Sequence, residues 1–268
     1  MSFAEFSYQL LQAYDFYFLN KTESCTLQIG GSDQWGNITA GIDLISRTHK
    51  NDLRIEPRAF GLTVPLLTAA NGEKFGKSAG NAIWLDPGMS TPLELYQYFT
   101  RSLDTSLEDH FKMFTLLPLE NVSEIMKIFQ SNTASKAAPY ILAKEITTLI
   151  HGKDAATKAE LATRILFDDD HVANSKEILN TFKNDPLLIR VSRHELIGEL
   201  ISKVLRDLAI LHSRAEAESL IKGGGLYINT HKRQVRDQFA RVENDWLIND
   251  RVLILRCGKW RYNVLEII

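Results

Sequence analysis

Apolar and polar positions separate clearly along the first helix-sized stretch. Phe3, Phe6, Leu10, Leu11, Tyr14 and Phe18 recur at spacings of one, three and four, which predicts a helix over Phe3 to Leu19. Tyr8, Gln12 and Asp15 lie on another side of it. At ~100° per residue these three fall within ~60° of one another. A phenol, an amide and a carboxylate in one stripe read either as a solvated face or as a pocket wall that hydrogen-bonds a small zwitterion. Next, Leu27-Gln28-Ile29 meets Gly30-Gly31, then Ser32-Asp33-Gln34, then an amphipathic run from Ile38 to Ile45. That order predicts strand, tight turn and helix. In open α/β sheets such a turn is where ligands sit, because the strand's carboxyl end and the helix's amino end converge there. The paired glycines let a ligand approach the backbone, and Asp33 and Gln34 would share the crevice. The bland alternative is an ordinary tight turn.

His49 to Glu56 is a polar connector, and Phe60 to Leu67 is an apolar run whose Pro65 ends a strand. Asn71-Gly72 marks a turn. Lys74-Phe75-Gly76-Lys77-Ser78-Ala79-Gly80-Asn81 then puts two lysines three apart among glycines. A loop of this kind can close over phosphates, with ammonium groups neutralising charge. It is not a Walker A loop, and a solvated basic turn is the competing reading. Thr91-Pro92-Leu93-Glu94 predicts a helix start with a capping box. Helices follow over Leu93 to Phe99, Leu107 to Leu116 and Leu119 to Phe129. The pattern from Ser135 to Phe167 is helical, with a kink at Pro139 and a break near His151-Gly152. Asp168-Asp169-Asp170-His171 reads as a helix end or charged connector, not a metal site. His171 to Leu188 reads as an extended linker with one helical stretch, and a boundary falls near Asp185-Pro186.

A terminal module starts near Val191. Helices are expected over Glu195 to Leu205 and Ser213 to Lys222, the latter opened by a capping box of Ser213 and Glu216 and ended by Gly223-Gly224-Gly225. Strands are expected at Leu226 to Asn229, Arg251 to Arg256 and Arg261 to Ile267.

Charge changes the picture for this module. The chain of 268 residues has a net charge of −2, but Arg190 to Ile268 holds 14 basic and 10 acidic residues, a net of +4 against −6 for the remainder. A basic module on an acidic body points to a polyanion partner. Lys222, Lys232, Arg233, Arg236, Lys259 and Arg261 fall at loops and element ends, the layout of an RNA-backbone platform. The length predicts two or more domains. Cys25 and Cys257 are too few and too far apart for a disulfide framework or metal site, so both are expected as reduced structural thiols. No apolar run approaches a membrane span, and the first residues carry no basic leader region.

Taken together, these stretches resemble tyrosyl-tRNA synthetases of the class I aminoacyl-tRNA synthetases. The resemblance is carried by Phe6-Ser7-Tyr8-Gln9-Leu10-Leu11-Gln12-Ala13-Tyr14-Asp15-Phe16, by the Gln28 to Asn37 turn and by Lys74 to Ser78, which is similar to the family's second signature in its K-F-G-K-S form. Ser78 to Trp84 leans toward the mitochondrial type, and the terminal module is similar to the S-four-type RNA-binding domain.

The resemblance implies an α/β fold in three parts. These are the carboxyl-terminal half of a Rossmann-type catalytic domain (1–115), an all-α anticodon-binding domain with linker (116–188) and a small α+β S-four-type RNA-binding domain (189–268). It implies that Tyr8 and Gln12 bind the α-ammonium of tyrosine, that Asp15 takes its phenolic hydroxyl, that Gln28 lines the pocket and that Gln34 approaches the carboxylate. Gly31 and Asp33 would meet the ribose of the adenylate; Lys74, Lys77 and Ser78 would hold the ATP phosphates and leaving pyrophosphate. Arg214, Lys222, Lys232, Arg233 and Lys259 would contact RNA. ATP is a substrate, Mg2+ accompanies it, and no protein-bound metal is expected. The partners implied are L-tyrosine, tRNA(Tyr) and, for the family, a second copy of the chain, in the mitochondrial matrix or, for a bacterial protein, the cytoplasm.

One departure matters. No H-x-G-H occurs in these 268 residues, so the family's first ATP signature and the rest of its tyrosine pocket are missing. The chain is therefore expected to be an incomplete form that does not make tyrosyl-adenylate by itself; ATP–pyrophosphate exchange by the pure chain would overturn this. The alternative is a non-catalytic RNA-binding or intron-splicing protein derived from a synthetase.

Overall fold

The computed structural model describes residues 2–49, 59–65, 83–132, 137–168, 171–229, 233–258 and 261–268. The chain divides into two compact units, Met1–Ala82 and Ile83–Ile268.

The first unit contains α1 (Phe3–Glu23), β1 (Leu27–Gly31), α2 (Trp35–His49) and β2 (Phe60–Val64). The expected strand–turn–helix is present, with a single 3-10 turn at Ser32–Gln34 between β1 and α2. β1 and β2 pair in parallel, Leu27 opposite Phe60 through Gly31 opposite Val64. The strand ends at Val64, before Pro65, as the proline dictates. A Cβ on Gly61 would stand 2.5 Å from Ile38 Cγ2, so only glycine lets β2 approach α2 this closely. Among the described residues of this unit, Ile38 and Ile45 of α2 and Ala13 and Phe16 of α1 are the buried hydrophobic ones. The apolar positions read from the sequence lie elsewhere: Phe3, Phe6, Leu10, Leu11, Tyr14 and Phe18 of α1 are exposed. So are Leu27, Ile29, Phe60, Leu62 and Val64, which alternate with Gln28, Gly30, Gly61 and Thr63 along the two strands. Helical periodicity marked a face; it did not say which face meets α2.

The second unit opens with α3 (Pro92–Thr100), and the expected capping box is formed on both sides. Glu94 N donates to Thr91 Oγ1 (3.2 Å) and Thr91 N to Glu94 Oε2 (2.8 Å). α4 (Leu107–Phe114), α5 (Leu119–Ser131), α6 (Ala137–His151) and α7 (Lys153–Phe167) follow. The break at Gly152 is present, but Pro139 produces no mid-helix kink. It is the third residue of α6, where no intrahelical partner for its missing N–H is required. The one helical stretch expected within His171 to Leu188 is α8 (Ser175–Thr181), but the segment is not an extended linker: Ile178 and Phe182 have no exposed surface and sit in the core.

The remaining elements are β3 (Leu188–Val191), α9 (Arg193–Leu196), α10 (Ile201–Asp207), α11 (Arg214–Lys222), β4 (Leu226–Ile228), β5 (Arg233–Val235), β6 (Val252–Cys257) and β7 (Arg261–Ile267). The helix expected over Glu195 to Leu205 is split, because Gly198 takes φ +82 between α9 and α10. At α11, Ser213 Oγ accepts from Glu216 N (3.1 Å), but the glutamate accepts from His212 N (2.9 Å), one residue before the cap. The strands form one sheet in the order β3-β7-β6-β4-β5, parallel only between β3 and β7. β3 and β5, four and three residues long, are too short for alternation to show, and neither follows a glycine run like the one that marks the equally short β4.

The sheet is buried on both faces. Leu253, Leu255, Leu265 and Ile267 pack with Val204, Leu205, Ala217 and Ile221 of α10 and α11. Val252, Ile254, Tyr262 and Val264 belong to a core shared with Leu142, Ile165, Ile178 and Phe182. Arg190 Nε and Arg251 Nη2 approach Glu266 at 3.0 and 3.6 Å, tying β3 and the start of β6 to β7. Asn249 Oδ1 accepts from Ser175 N (3.0 Å), a cap on α8 supplied from 74 residues away. Cys257 is buried, which pushes its thiol up to about 11, and Cys25 is half-buried; both are free thiols. Among the described residues no helix is long and apolar enough to cross a membrane, and no cluster of three or more His, Cys, Asp or Glu could hold a metal ion.

Candidate functional site

α1 sets the first part of the site. Tyr8 and Asp15 are exposed and Gln12 is half-buried, on the single helix that the pattern predicts. β1 and the 3-10 turn set the second part. Gly31, Asp33 and Gln34 follow the strand at the amino end of α2, where backbone N–H groups favour an anionic group. Gly30 has Gln34 folded over it: a Cβ there would stand 2.9 Å from Gln34 Cβ.

The two parts are joined by polar contacts that the sequence pattern does not contain. Asn37 Nδ2 donates to Gln12 Oε1 (3.0 Å) and to Gln34 Oε1 (3.1 Å). Gln9 Nε2 donates to Gly36 O (3.0 Å). Gln12 and Gln34, read from separate stretches, thus meet on one amide. Gln28 Oε1 is a buried acceptor with no hydrogen-bond partner among the described residues. A buried amide oxygen without a partner costs roughly 1–3 kcal/mol, and a ligand donor at this place would recover it. Asn37 and Gln9 are the residues that sequence reasoning passed over. The one signal for Asn37 was its place one helical turn after Gln34. Lys74, Lys77 and Ser78 lie outside the described residues.

In the terminal part, α11 carries Arg214 at its start and Lys222 at its end, and Arg233 opens β5. Arg214 Nε pairs with Glu218 Oε1 (2.9 Å). Arg233 Nη1 pairs with Asp245 Oδ2 (3.0 Å), and its guanidinium lies over the Trp246 ring at 5.6 Å. Both arginines are thus partly neutralised and held in place. Lys222 is exposed. Lys232 and Lys259 lie outside the described residues. A cavity of about 290 Å³ in the same unit is lined by Leu93, Glu94, Gln97, Tyr98, Arg101 and Tyr262 among others.

Comparison with known proteins adds the family context. A family model described as tRNA synthetases class I (W and Y) matches residues 1–168. The chain is 40% identical over 270 residues to the mitochondrial tyrosine–tRNA ligase of Saccharomyces cerevisiae, covering 99% of this chain and 53% of that one. It is 39% identical over 268 residues to the tyrosine–tRNA ligase of Lactobacillus johnsonii, covering 100% of this chain and 61% of that one. It therefore spans between half and two thirds of the length of these relatives. Among solved structures, it is similar to a C-terminally truncated mitochondrial tyrosyl-tRNA synthetase of Aspergillus nidulans, with a TM-score of 0.50 and 39% identity over 61% of this chain and 47% of that one. The corresponding enzyme of Coccidioides posadasii gives a TM-score of 0.51 and 37% identity over 60% of this chain and 45% of that one.

Proposed function

We propose, for a chain that belongs to the tyrosyl-tRNA synthetase family of class I, that residues of α1 and of the β1–α2 turn form the tyrosine and adenosine side of a tyrosine–tRNA ligase site. The observation that carries this reading is the meeting of Gln12 and Gln34 on Asn37. It puts the stripe of Tyr8, Gln12 and Asp15 beside the turn of Gly31, Asp33 and Gln34, as recognition of one small zwitterion requires. Tyr8 and Gln12 take the ammonium, Asp15 the phenolic hydroxyl and Gln34 the carboxylate; Gln28 supplies a further acceptor in the wall. Gly31 and Asp33 meet the ribose. Lys74, Lys77 and Ser78 hold the ATP phosphates, the two ammonium groups neutralising charge, and Mg2+ would accompany the nucleotide.

The reaction joins a carboxylate to the α-phosphorus of ATP, breaking the α–β phosphoanhydride and releasing pyrophosphate, and then transfers the tyrosyl group to tRNA(Tyr) with release of AMP. The first step asks for alignment and charge stabilisation far more than for proton transfer. The two lysines act on charge that develops in the transition state, and the α1 residues act on tyrosine in every state. Residues 1–115 are assigned to catalysis, 116–188 to anticodon binding and 189–268 to RNA through an S-four-type domain, with Arg214, Lys222, Lys232, Arg233 and Lys259 on phosphates. The half-length match to S. cerevisiae's mitochondrial enzyme supports a mitochondrial place, and the bacterial relatives support a cytoplasmic one. No H-x-G-H occurs in these 268 residues, so the other part of the ATP site is not among them, and a second copy of the chain is a partner only by analogy with the full-length family.

Binding of L-tyrosine and L-phenylalanine to the chain, measured by titration calorimetry, tests the tyrosine side. Asp15→Ala is expected to weaken tyrosine at least about tenfold, the worth of one hydrogen bond to a charged group, and to leave phenylalanine unchanged. Discrimination against phenylalanine by a group that needs the hydroxyl is the established behaviour of this enzyme family. Equal losses for both ligands, or no binding of tyrosine, would remove the reading.

A further inference from the structure

Asn37 stands in the first turn of α2, three residues after Gln34 and 25 after Gln12. A primary amide has two N–H donors on one nitrogen. Here both are committed, one to Gln12 Oε1 and one to Gln34 Oε1. Asn37 therefore decides more than position. An amide group has nearly the same shape either way round, so Gln12 and Gln34 could each present nitrogen or oxygen to a ligand. With a donor from Asn37 on each oxygen, both carbonyl ends are anchored on one group and the two senses are coupled: the amides turn together or not at all, and neither Nε2 has a partner among the described residues.

We propose that Asn37 is a positioning residue that couples the senses of the Gln12 and Gln34 amides, so that both together present the arrangement seen in the structure to a zwitterion. This rests on the reading of the site as a tyrosine site. Gln34 Nε2 is then left as the donor for a carboxylate, and Gln12 Oε1 keeps its second lone pair for an ammonium. Reversal of Gln34 would set a carbonyl oxygen against the carboxylate. Reversal of Gln12 would set N–H groups against the ammonium, which has no acceptor. Asn37 itself touches neither group of the ligand in this arrangement.

Aspartate at this position has nearly the shape of asparagine but only accepts, so it draws both Nε2 groups toward itself and reverses both amides. Alanine removes the constraint and leaves each amide free to take either sense. The test is binding of L-tyrosine, tyramine (no carboxylate) and 3-(4-hydroxyphenyl)propionate (no ammonium) to the chain and to its Asn37→Ala and Asn37→Asp variants at neutral pH. Thermal unfolding checks that the variants are folded. The expected order for tyrosine is Asn, then Ala, then Asp, with Asn37→Ala weaker by a few-fold and Asn37→Asp by about tenfold or more. The propionate follows the same order. Tyramine loses less in Asn37→Asp, because the new carboxylate attracts the ammonium that Gln12 no longer serves.

A purely structural role would instead lower all three ligands together and make alanine, which leaves a gap, at least as harmful as aspartate. That outcome, or an unchanged tyrosine-to-tyramine ratio in Asn37→Asp, overturns the proposal while leaving the tyrosine site in place. Failure of the unaltered chain to bind any of the three ligands overturns the tyrosine site, and the proposal falls with it.

Discussion

Replacing Phe182 by alanine is expected to destabilise the larger unit by about 3–5 kcal/mol, and to do so for its helices and its sheet together. Phe182 has no exposed surface, and its core contains Leu142 of α6, Ile165 of α7, Ile178 of α8 and Val252, Ile254 and Val264 of the sheet. Removing a ring there leaves a cavity bordered by both helices and strands. Backbone ties cross the same boundary: Val264 N donates to Leu187 O (2.8 Å), and Asn249 caps α8. Urea unfolding followed by far-UV circular dichroism, with hydrogen exchange read at α6 and at β6, measures this. One transition with equal loss of protection in α6 and β6 is the expected result. Persistence of β6 protection after α6 has exchanged would show that the sheet region folds as a unit of its own.

Changing Lys222, Lys232 and Lys259 together to glutamine is expected to lower RNA affinity on the order of a hundredfold at low salt. The slope of log affinity against log salt should shrink by about 2–3, because each lost phosphate contact removes about 0.7–0.9 from it. Arg214→Gln with Arg233→Gln should cost less. These two side chains are paired with Glu218 and Asp245, so part of their charge is already compensated within the protein. Fluorescence anisotropy with a folded RNA at several salt concentrations measures both. An unchanged slope in the triple variant would take the phosphate contacts away from these lysines and, with them, the RNA reading of the terminal region.

The two predictions differ in how they could be read from the chain. The lysines were legible as charge against sequence position, since a charge excess needs no fold to be counted. Phe182 was not: in a stretch bounded by Asp168 and Pro186 it belonged to no periodic run, and it read as part of a linker. It shares one core with Val252, Ile254 and Val264 of β6 and β7, 70 or more residues further on. The same holds for Gln97, whose Nε2 donates to Thr163 Oγ1 (2.7 Å) across two helices.

By itself the sequence determined those features whose cause lies within a few residues. The α1 stripe, the strand–turn–helix at Gly30-Gly31, the capping box at Thr91, the stop at Pro65 and the break at Gly152 are of this kind, because backbone hydrogen bonding, helical spacing and proline and glycine geometry act over one or two turns. The motifs that led to the family lie there too. Tertiary structure alone decided which side of α1 packs on α2, why Gly61 must be glycine, and how the sheet joins the helices. It also brought Asn37 between Gln12 and Gln34. The physical reason is shared by all of these. A side chain's spacing along its own element says which neighbours it keeps, while the partner across a packed interface depends on the axial offset and rotation of two elements, which no local pattern encodes.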